Sequence, residues 1–210
     1  MAGDYCCAQH SDAGLWMSMN GEKKITKGFS ISLAAELRMN NNITQVGTYF
    51  TELGLNYRFS KKVRLSGNYR FMARSRADGT YSNRHRYYFD LAYREKIKSV
   101  TVLFRTRFQS QYADILSSPE GKVPEYYSRN KLTIKYDATK KATPYISTEL
   151  FTPLCNVHGI TIDNVRYSGG VEYAFNRVHT IDLFYMLQQE YNVKNSETDH
   201  IIGIGYYFTF

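Results

Sequence analysis

The fold is decided by the last stretch of the chain, which reads HIIGIGYYFTF over residues 200–210. Side chains alternate across a strand with a period of two, so one face carries Ile202, Ile204, Tyr206, Phe208 and Phe210. Soluble domains rarely end this way, because chain ends usually fray into water. The last strand of a transmembrane β-barrel, by contrast, must be paired so that no backbone edge meets lipid. We therefore interpret this stretch as a closing barrel strand, with Tyr206, Phe208 and Phe210 as a C-terminal signal for the barrel-assembly machinery.

The composition favours β-structure and a membrane location. Nineteen Tyr and twelve Phe accompany a single Trp, a selection typical of strands and interfaces. No run approaches the roughly 18 to 20 apolar residues of a membrane helix, so any membrane span must consist of strands. The formal charge of +8 raises the question of nucleic acid. Because the basic residues are dispersed at alternate positions, we predict no nucleic-acid partner.

The cysteines and the N-terminal residues give little chemistry. Cys6 and Cys7 are adjacent, Cys155 stands alone, and no Cys-x-x-Cys occurs, so we predict no disulfide framework, metal site or cofactor. Residues 1–12 form an N-terminal segment with two open interpretations. It is either the remnant of a signal peptide, with small residues leading to cleavage after Ala8, or an ordinary disordered terminus. Residues 13–210 form a single barrel domain.

Alternating apolar and polar residues define ten strands from Phe29 onward, each near the length of a tilted membrane strand. Short turns at 60–62, 95–99, 138–142 and 176–177 alternate with longer polar connections at 74–83, 113–125, 152–163 and 192–199. In outer-membrane barrels short turns face the periplasm and longer loops face outward. The pattern predicts an all-β, antiparallel, up-and-down transmembrane β-barrel of about ten strands, up to twelve, in the cell outer membrane, with outer-membrane lipid around it.

The segment Ala13–Glu22 makes the strand count uncertain. An eleventh strand would have the wrong parity for a bacterial barrel with both chain ends in the periplasm. We therefore expect either that this segment lies in or under the lumen, or that one of the connections hides a further strand.

Aromatic residues on the apolar face fall into two groups. One group lies at the short-turn ends of the strands and comprises Tyr57, Phe59, Tyr93, Tyr136, Tyr173, Phe175, Phe208 and Phe210. The other lies toward the long loops and comprises Phe71, Tyr87, Phe108, Tyr167 and Tyr185. Aliphatic residues such as Leu91 and Val171 tend to lie between them. Two aromatic girdles around an aliphatic band are what a bilayer selects.

Three motifs stand out along the chain: TELGLNYRF at 51–59, DGTYSNRHRY at 78–87, and PEGKVPE at 119–125 followed by RNKL at 129–132. Together they resemble an uncharacterised family of small outer-membrane barrels common in Bacteroidetes-type bacteria, designated domain of unknown function 2490. The resemblance extends from about Leu15 to the end of the chain. It implies a fold and a location, and it brings no catalytic residues.

If the apolar face meets lipid, the polar face lines the lumen. The predicted lumen residues are Glu36, Arg38, Glu52, Arg58, Arg64, Arg70, Arg86, Asp90, Arg94, Arg105, Arg107, Arg129, Lys131, Glu149, Arg166, Glu172 and Asp182. Charges in so confined a space must be paired or hydrated. We expect a non-enzymatic barrel plugged by a net-basic network of salt bridges, or alternatively a narrow pore that prefers anions.

Three further alternatives remain open on sequence grounds. An outer-membrane lipid hydrolase would use Ser, His and an acid, for which His85 near Ser82 and His200 near Asp199 are the candidates. The long connections offer a surface for an envelope protein or a glycan. A soluble, lipocalin-like binding barrel would share the period-two pattern, with the apolar face turned inward.

Overall fold

The computed structural model describes residues 10–113, 124–154, 161–192 and 196–210. The expected N-terminal segment up to residue 9, Cys155 and most of the PEGKVPE motif lie outside the described residues. The described strands are β1 (His10–Lys24), β2 (Phe29–Asn40), β3 (Gln45–Arg58), β4 (Val63–Ser75), β5 (Tyr81–Ile97), β6 (Val100–Ala113), β7 (Glu125–Tyr136), β8 (Ala142–Pro153), β9 (Asn164–Ala174), β10 (His179–Glu190) and β11 (Glu197–Thr209).

These strands form one closed barrel in which each strand pairs with its neighbours in the chain. All pairs between consecutive strands are antiparallel, as the period-two pattern and the short connections predict. The barrel closes between β1 and β11, which run parallel in a continuous register from His10↔Glu197 to Glu22↔Thr209. The all-β barrel predicted from the sequence is confirmed, and its strand number falls within the predicted ten to twelve.

The expectation for Ala13–Glu22 is wrong. This segment is part of β1, a full strand of the barrel wall that hydrogen-bonds β2 on one side and β11 on the other. Since eleven is an odd number, the first and last strands must run in the same direction and meet as a parallel pair. The carboxylate of Asp12 accepts hydrogen bonds from the amides of Asn41 (2.8 Å) and Asn42 (2.7 Å), which fixes β1 against the β2–β3 connection.

The connections define two ends of the barrel. The turn end carries residues 25–28, 59–62, 98–99, 137–141 and 175–178. The loop end carries 41–44, 76–80 and the described residues that flank the gaps at 114–123, 155–160 and 193–195. Half of the predicted polar connection at 74–83 is strand, because β4 continues to Ser75 and β5 begins at Tyr81. The loop-end connections therefore exceed the turns in length mainly in the second half of the chain.

Most large apolar side chains face outward from the barrel. Leu33, Phe89 and Ile146 are each 64% exposed, while the charged side chains of Arg107 and Asp182 are buried inside. A soluble barrel has the reverse arrangement, since it buries its apolar face. In the described part of the chain, no helix is long and apolar enough to cross a membrane.

Candidate functional site: the barrel lumen

The lumen holds a cavity of about 990 Å³. Its charged lining consists of ten cations and ten carboxylates: Arg38, Arg70, Arg74, Arg84, Arg86, Arg105, Arg107, Arg129, Lys131 and Arg166, with Asp12, Glu36, Glu52, Glu125, Glu149, Asp163, Asp182, Glu190, Glu197 and Asp199. The two signs are not mixed evenly. Most of the carboxylates lie near strand ends at the loop end, whereas most of the cations lie deeper, where they set the local charge.

Arginine and aromatic side chains alternate around the middle of the lumen. Guanidinium carbons lie over ring centroids for Arg38 on Trp16 (3.7 Å), Arg70 on Phe50 (3.7 Å), Arg107 on Tyr88 (3.6 Å), Arg129 on Phe151 (4.2 Å) and Arg166 on Phe151 (4.6 Å). Arg166 also lies 5.2 Å from the ring of Trp16, which brings the series back to β1. We call these nine residues the arginine belt. Stacking on a ring suits the planar, weakly hydrated guanidinium group.

The tilt of the strands explains how residues at different registers form one belt. Barrel strands tilt by about 35–45° to the barrel axis. Residues at the same level along the axis are therefore offset from the directly paired residues of neighbouring strands. Phe50, for example, pairs directly with Met72, yet it stacks on Arg70, two residues nearer the turn end. On β10 and β11 hydrogen bonds continue the ring, since Arg166 donates to Gln188 (2.7 Å) and Gln188 donates to Asp199 (2.9 Å).

Most belt arginines also bind a carboxylate. Arg107 makes a bidentate pair with Asp90, its direct cross-strand neighbour, with both N–O distances at 2.7 Å. Arg70 Nε donates to Glu52 at 2.7 Å across the β3–β4 pair. Planar, two-point contacts of this kind hold each guanidinium group in one orientation.

Glu149 on β8 is the centre of the largest charge cluster. Its carboxylate accepts from Arg129 (Nε at 3.1 Å, NH2 at 2.9 Å) and from Arg105, and Arg166 NH1 lies 4.0 Å away. The Glu149 side chain is only 6% exposed. One carboxylate therefore serves three arginines in a largely buried position.

The middle of the lumen carries an excess of positive charge. Glu36, Glu52, Asp90 and Glu149 face twice as many cations, namely Arg38, Arg70, Arg86, Arg105, Arg107, Arg129, Lys131 and Arg166. Arg86 donates to the amide oxygen of Gln111 (Nε at 3.0 Å). Lys131 lies directly opposite Glu149 in the β7–β8 pair, but the ion pairs of Glu149 are with Arg105, Arg129 and Arg166.

A layer of polar side chains lies on the turn-end side of the lumen, and we call it the closing layer. Arg64 binds Glu22 at 3.1 Å, Ser30 donates to the same carboxylate, and Lys135 pairs with Glu172. None of these five residues belongs to the cavity lining. The cavity lining includes residues on both sides of the arginine belt and extends to strand ends at the loop end, such as Asp12, Glu125 and Glu197.

Twelve of the seventeen predicted lumen residues line the cavity: Glu36, Arg38, Glu52, Arg70, Arg86, Arg105, Arg107, Arg129, Lys131, Glu149, Arg166 and Asp182. Asp90 is buried against Arg107, while Arg64 and Glu172 lie in the closing layer. Arg58 and Arg94 are exposed near the turn end. The sequence prediction omitted the aromatic members of the belt. The sequence feature that could have identified them is an aromatic residue at a position that alternation assigns to the inner face of a strand, as at Tyr88 and Phe151.

The residues predicted as an assembly signal face outward. The rings of Phe208 and Phe210 stack with centroids 5.7 Å apart, and the Tyr206 hydroxyl contacts His179 Nδ1 at 2.6 Å. Backbone hydrogen bonds between Phe210 and β1, including Lys24 N to Phe210 O at 2.9 Å, tie the last residue to the first strand. Their role in assembly stays a prediction.

The histidines considered for a hydrolase point away from the lumen. His85 Nδ1 lies 2.8 Å from the Tyr69 hydroxyl, and His200 Nδ1 lies 2.6 Å from the Tyr185 hydroxyl. Each imidazole thus contacts a phenol on the outer face, while Asp199 faces the lumen on the opposite side of β11. Within the described residues no group of His, Cys, Asp and Glu is arranged to hold a metal ion.

Three solved structures are similar to this chain at low sequence identity. The NanC porin is 13% identical, with a TM-score of 0.51 and 85% of each chain covered. The KdgM porin, in a complex with disordered oligogalacturonate, is 15% identical, with a TM-score of 0.48, 85% of this chain covered and 84% of that chain. The β-domain of the Bordetella autotransporter BrkA is 10% identical, with a TM-score of 0.46 and 83% and 81% covered.

The likeness to the NanC porin shows the fold alone, that of a transmembrane β-barrel. No curated protein matches the sequence. The model of one family, described as "Protein of unknown function (DUF2490)", matches residues 13–199 and so covers most of the chain. The chain therefore belongs to the DUF2490 family of proteins of unknown function.

Proposed function

We propose that this chain is a non-enzymatic outer-membrane protein whose lumen is a chamber with a net-basic middle, entered from the loop end and plugged at the turn end. The observation that carries the proposal is the excess of cations over carboxylates at the arginine belt, inside a barrel with an apolar exterior. Small anionic solutes are the class that such a chamber attracts. The closing layer of Glu22, Ser30, Arg64, Lys135 and Glu172 opposes their passage.

The outer membrane is the location that this geometry suits. A closed barrel leaves no backbone edge in lipid, and the outward residues are apolar between aromatic ends. The turn end then faces the periplasm, where the C-terminus of β11 also lies. Heat-modifiable migration on a gel, together with resistance to carbonate extraction, is the expected behaviour of the purified chain.

Planar-bilayer recordings test the plug. The pure protein should give no steady current steps, because the closing layer blocks the turn end. The double variant Lys135→Ala/Glu172→Ala should give current steps, and their reversal potential in a salt gradient should show a preference for anions. The matched double variant Arg58→Ala/Arg94→Ala, which removes exposed side chains near the same end, should stay closed. Steps from the unaltered protein would refute the plug.

A narrow anion-selective pore is the second candidate. It is favoured by the cavity, whose lining includes residues on both sides of the arginine belt, and by Arg86, which binds the amide oxygen of Gln111 and not a carboxylate. In that case the unaltered protein conducts, and Lys131→Met lowers its anion preference.

A further inference from the structure

The basic residues of this chain are sorted by type and by place. Of the thirteen lysines, nine lie in or beside the connections of the turn end, while the arginines dominate the lumen. Arginine suits confined, stacked positions, and lysine suits an exposed end where a flexible stem carries a hydrated charge. The lumen network does not account for this second group.

The turn end carries a continuous ring of exposed cations, which we call the basic rim. It comprises the Lys and Arg side chains at residues 23–27, 61–62, 96–98, 140–141 and 177, ten in all, so that every turn-end connection contributes. All ten residues are exposed. The nearby carboxylates are Glu95, which pairs with Lys62, and Asp137, which pairs with Lys96. The ten cations of the basic rim therefore exceed these two carboxylates by eight.

The loop end has the opposite balance. Its described residues include seven carboxylates, among them Asp12, Asp163 and Glu197, against three arginines at 74, 76 and 84. The barrel is therefore polarised along its axis, with positive charge at the end where β11 finishes.

The basic rim borders the apolar exterior. Tyr57, Tyr136 and Phe175 are each about half exposed on the outer face close to the turn connections. Lys23 Nζ lies 5.8 Å from the centroid of the Phe210 ring, on the outward face of β1. Lysine stems can thus run along aromatic rings while their ammonium groups reach the headgroup level of a bilayer.

We infer that the basic rim binds the phosphate groups of anionic phospholipids in the leaflet at the turn end. The cations surround the whole perimeter next to the aromatic residues, which matches a surrounding lipid shell. A single protein partner would need a patch on one side instead. Each lysine near an anionic lipid surface favours binding by about fivefold. This inference rests on the membrane location in the proposed function.

Energy transfer from Trp16, the single tryptophan, to pyrene-labelled lipids tests the inference. The full chain is reconstituted in phosphatidylcholine vesicles containing a trace of pyrene-labelled phosphatidylglycerol or phosphatidylcholine. We expect about fivefold or stronger association with phosphatidylglycerol at low salt, falling as ionic strength rises. The variant Lys61→Gln/Lys98→Gln/Lys140→Gln/Lys141→Gln should lose most of this preference. The Lys→Arg variant at the same four positions should keep it, because the charge is retained.

The possible outcomes separate the two proposals. Equal transfer to both labelled lipids from the unaltered protein would overturn the lipid site and leave the membrane location intact. Transfer to neither lipid would show that the chain is not embedded, and both proposals would fail. Equal transfer combined with lysine-dependent binding of soluble polyglutamate would overturn the lipid site and assign the basic rim to an acidic protein partner.

Discussion

Replacing Glu149 by glutamine removes one negative charge from the centre of the lumen and keeps the volume of the side chain. Arg105, Arg129 and Arg166 then surround a neutral amide. The side chains of Arg129 and Glu149 are 8% and 6% exposed, so water compensates little for the lost carboxylate. Breaking a buried ion pair by removing one partner costs about 3–5 kcal/mol. We expect Glu149→Gln to lower the free energy of unfolding by about 3–5 kcal/mol.

The control is Glu172→Gln, which breaks one pair with Lys135 in a wetter position. Those side chains are 24% and 31% exposed, and we expect a loss of about 1 kcal/mol or less. Urea titration in phosphatidylcholine vesicles, followed by heat-modifiable migration, gives both free energies by linear extrapolation. A double-mutant cycle of Glu149→Gln with Arg129→Met isolates the pair. If Glu149→Gln costs no more than Glu172→Gln, or if the cycle shows no coupling, Glu149 does not hold the cluster together.

Three further predictions concern other parts of the barrel. Gly203→Ala places a methyl group in the space of the Phe184 ring that covers the glycine. It should lower the free energy of unfolding by about 1–3 kcal/mol in the same titration, and by less in a Phe184→Leu background. An unchanged free energy of unfolding would contradict this packing. Cysteines replacing Met17 and Ile204, paired across the parallel seam, should form a disulfide on oxidation, and failure to cross-link would contradict the seam. The pKa of Asp78 is lowered because its carboxylate accepts hydrogen bonds from Thr80 in the β4–β5 connection. This connection should therefore stay ordered below the ordinary aspartate pKa of about 3.9, and its amides should lose protection from hydrogen exchange only as the pH falls through the lowered pKa. Loss of protection at higher pH would contradict this.

The alternation of apolar and polar residues predicts most of the fold, because it identifies the outer and inner faces of each strand from that strand alone. Leu53, Leu55 and Tyr57 alternate with Glu52 and residues of the opposite phase, and the structure exposes the first set outward. Closure is different, since it depends on the pairing of β1 with β11, almost the whole chain apart. The preference for even strand numbers in bacterial barrels suggested the wrong answer there.

The sequence predicted which side of the barrel wall each charged residue faces, but not its position along the barrel axis. Period two assigns Arg58 and Arg107 to the same side of the wall, yet Arg107 is buried in the arginine belt and Arg58 is exposed near the turn end. The position of a residue along the barrel axis depends on the tilt of its strand and on where that strand begins. The spacing of apolar residues encodes neither. The stacking of Arg70 on Phe50 likewise follows from an offset of two residues between neighbouring strands.

The basic rim was visible in the sequence but had no interpretation there. The lysines at 61–62, 96–98 and 140–141 stand in turns, where charged residues are ordinary. Only the barrel brings the turns to one end and separates them from the arginines of the lumen.

The central claim is that apolar side chains face lipid and charged ones face the lumen. Spin labels at four consecutive positions of β10, residues 183–186, test it most directly in a variant with Cys6, Cys7 and Cys155 replaced by serine. Leu183 and Tyr185 lie on the outer face, while Phe184 and Met186 line the cavity. We predict maximal collision with dissolved oxygen at 183 and 185 and maximal collision with a water-soluble nickel chelate at 184 and 186. The opposite alternation, or none, would contradict the orientation on which the lumen site, the plug and the basic rim all depend.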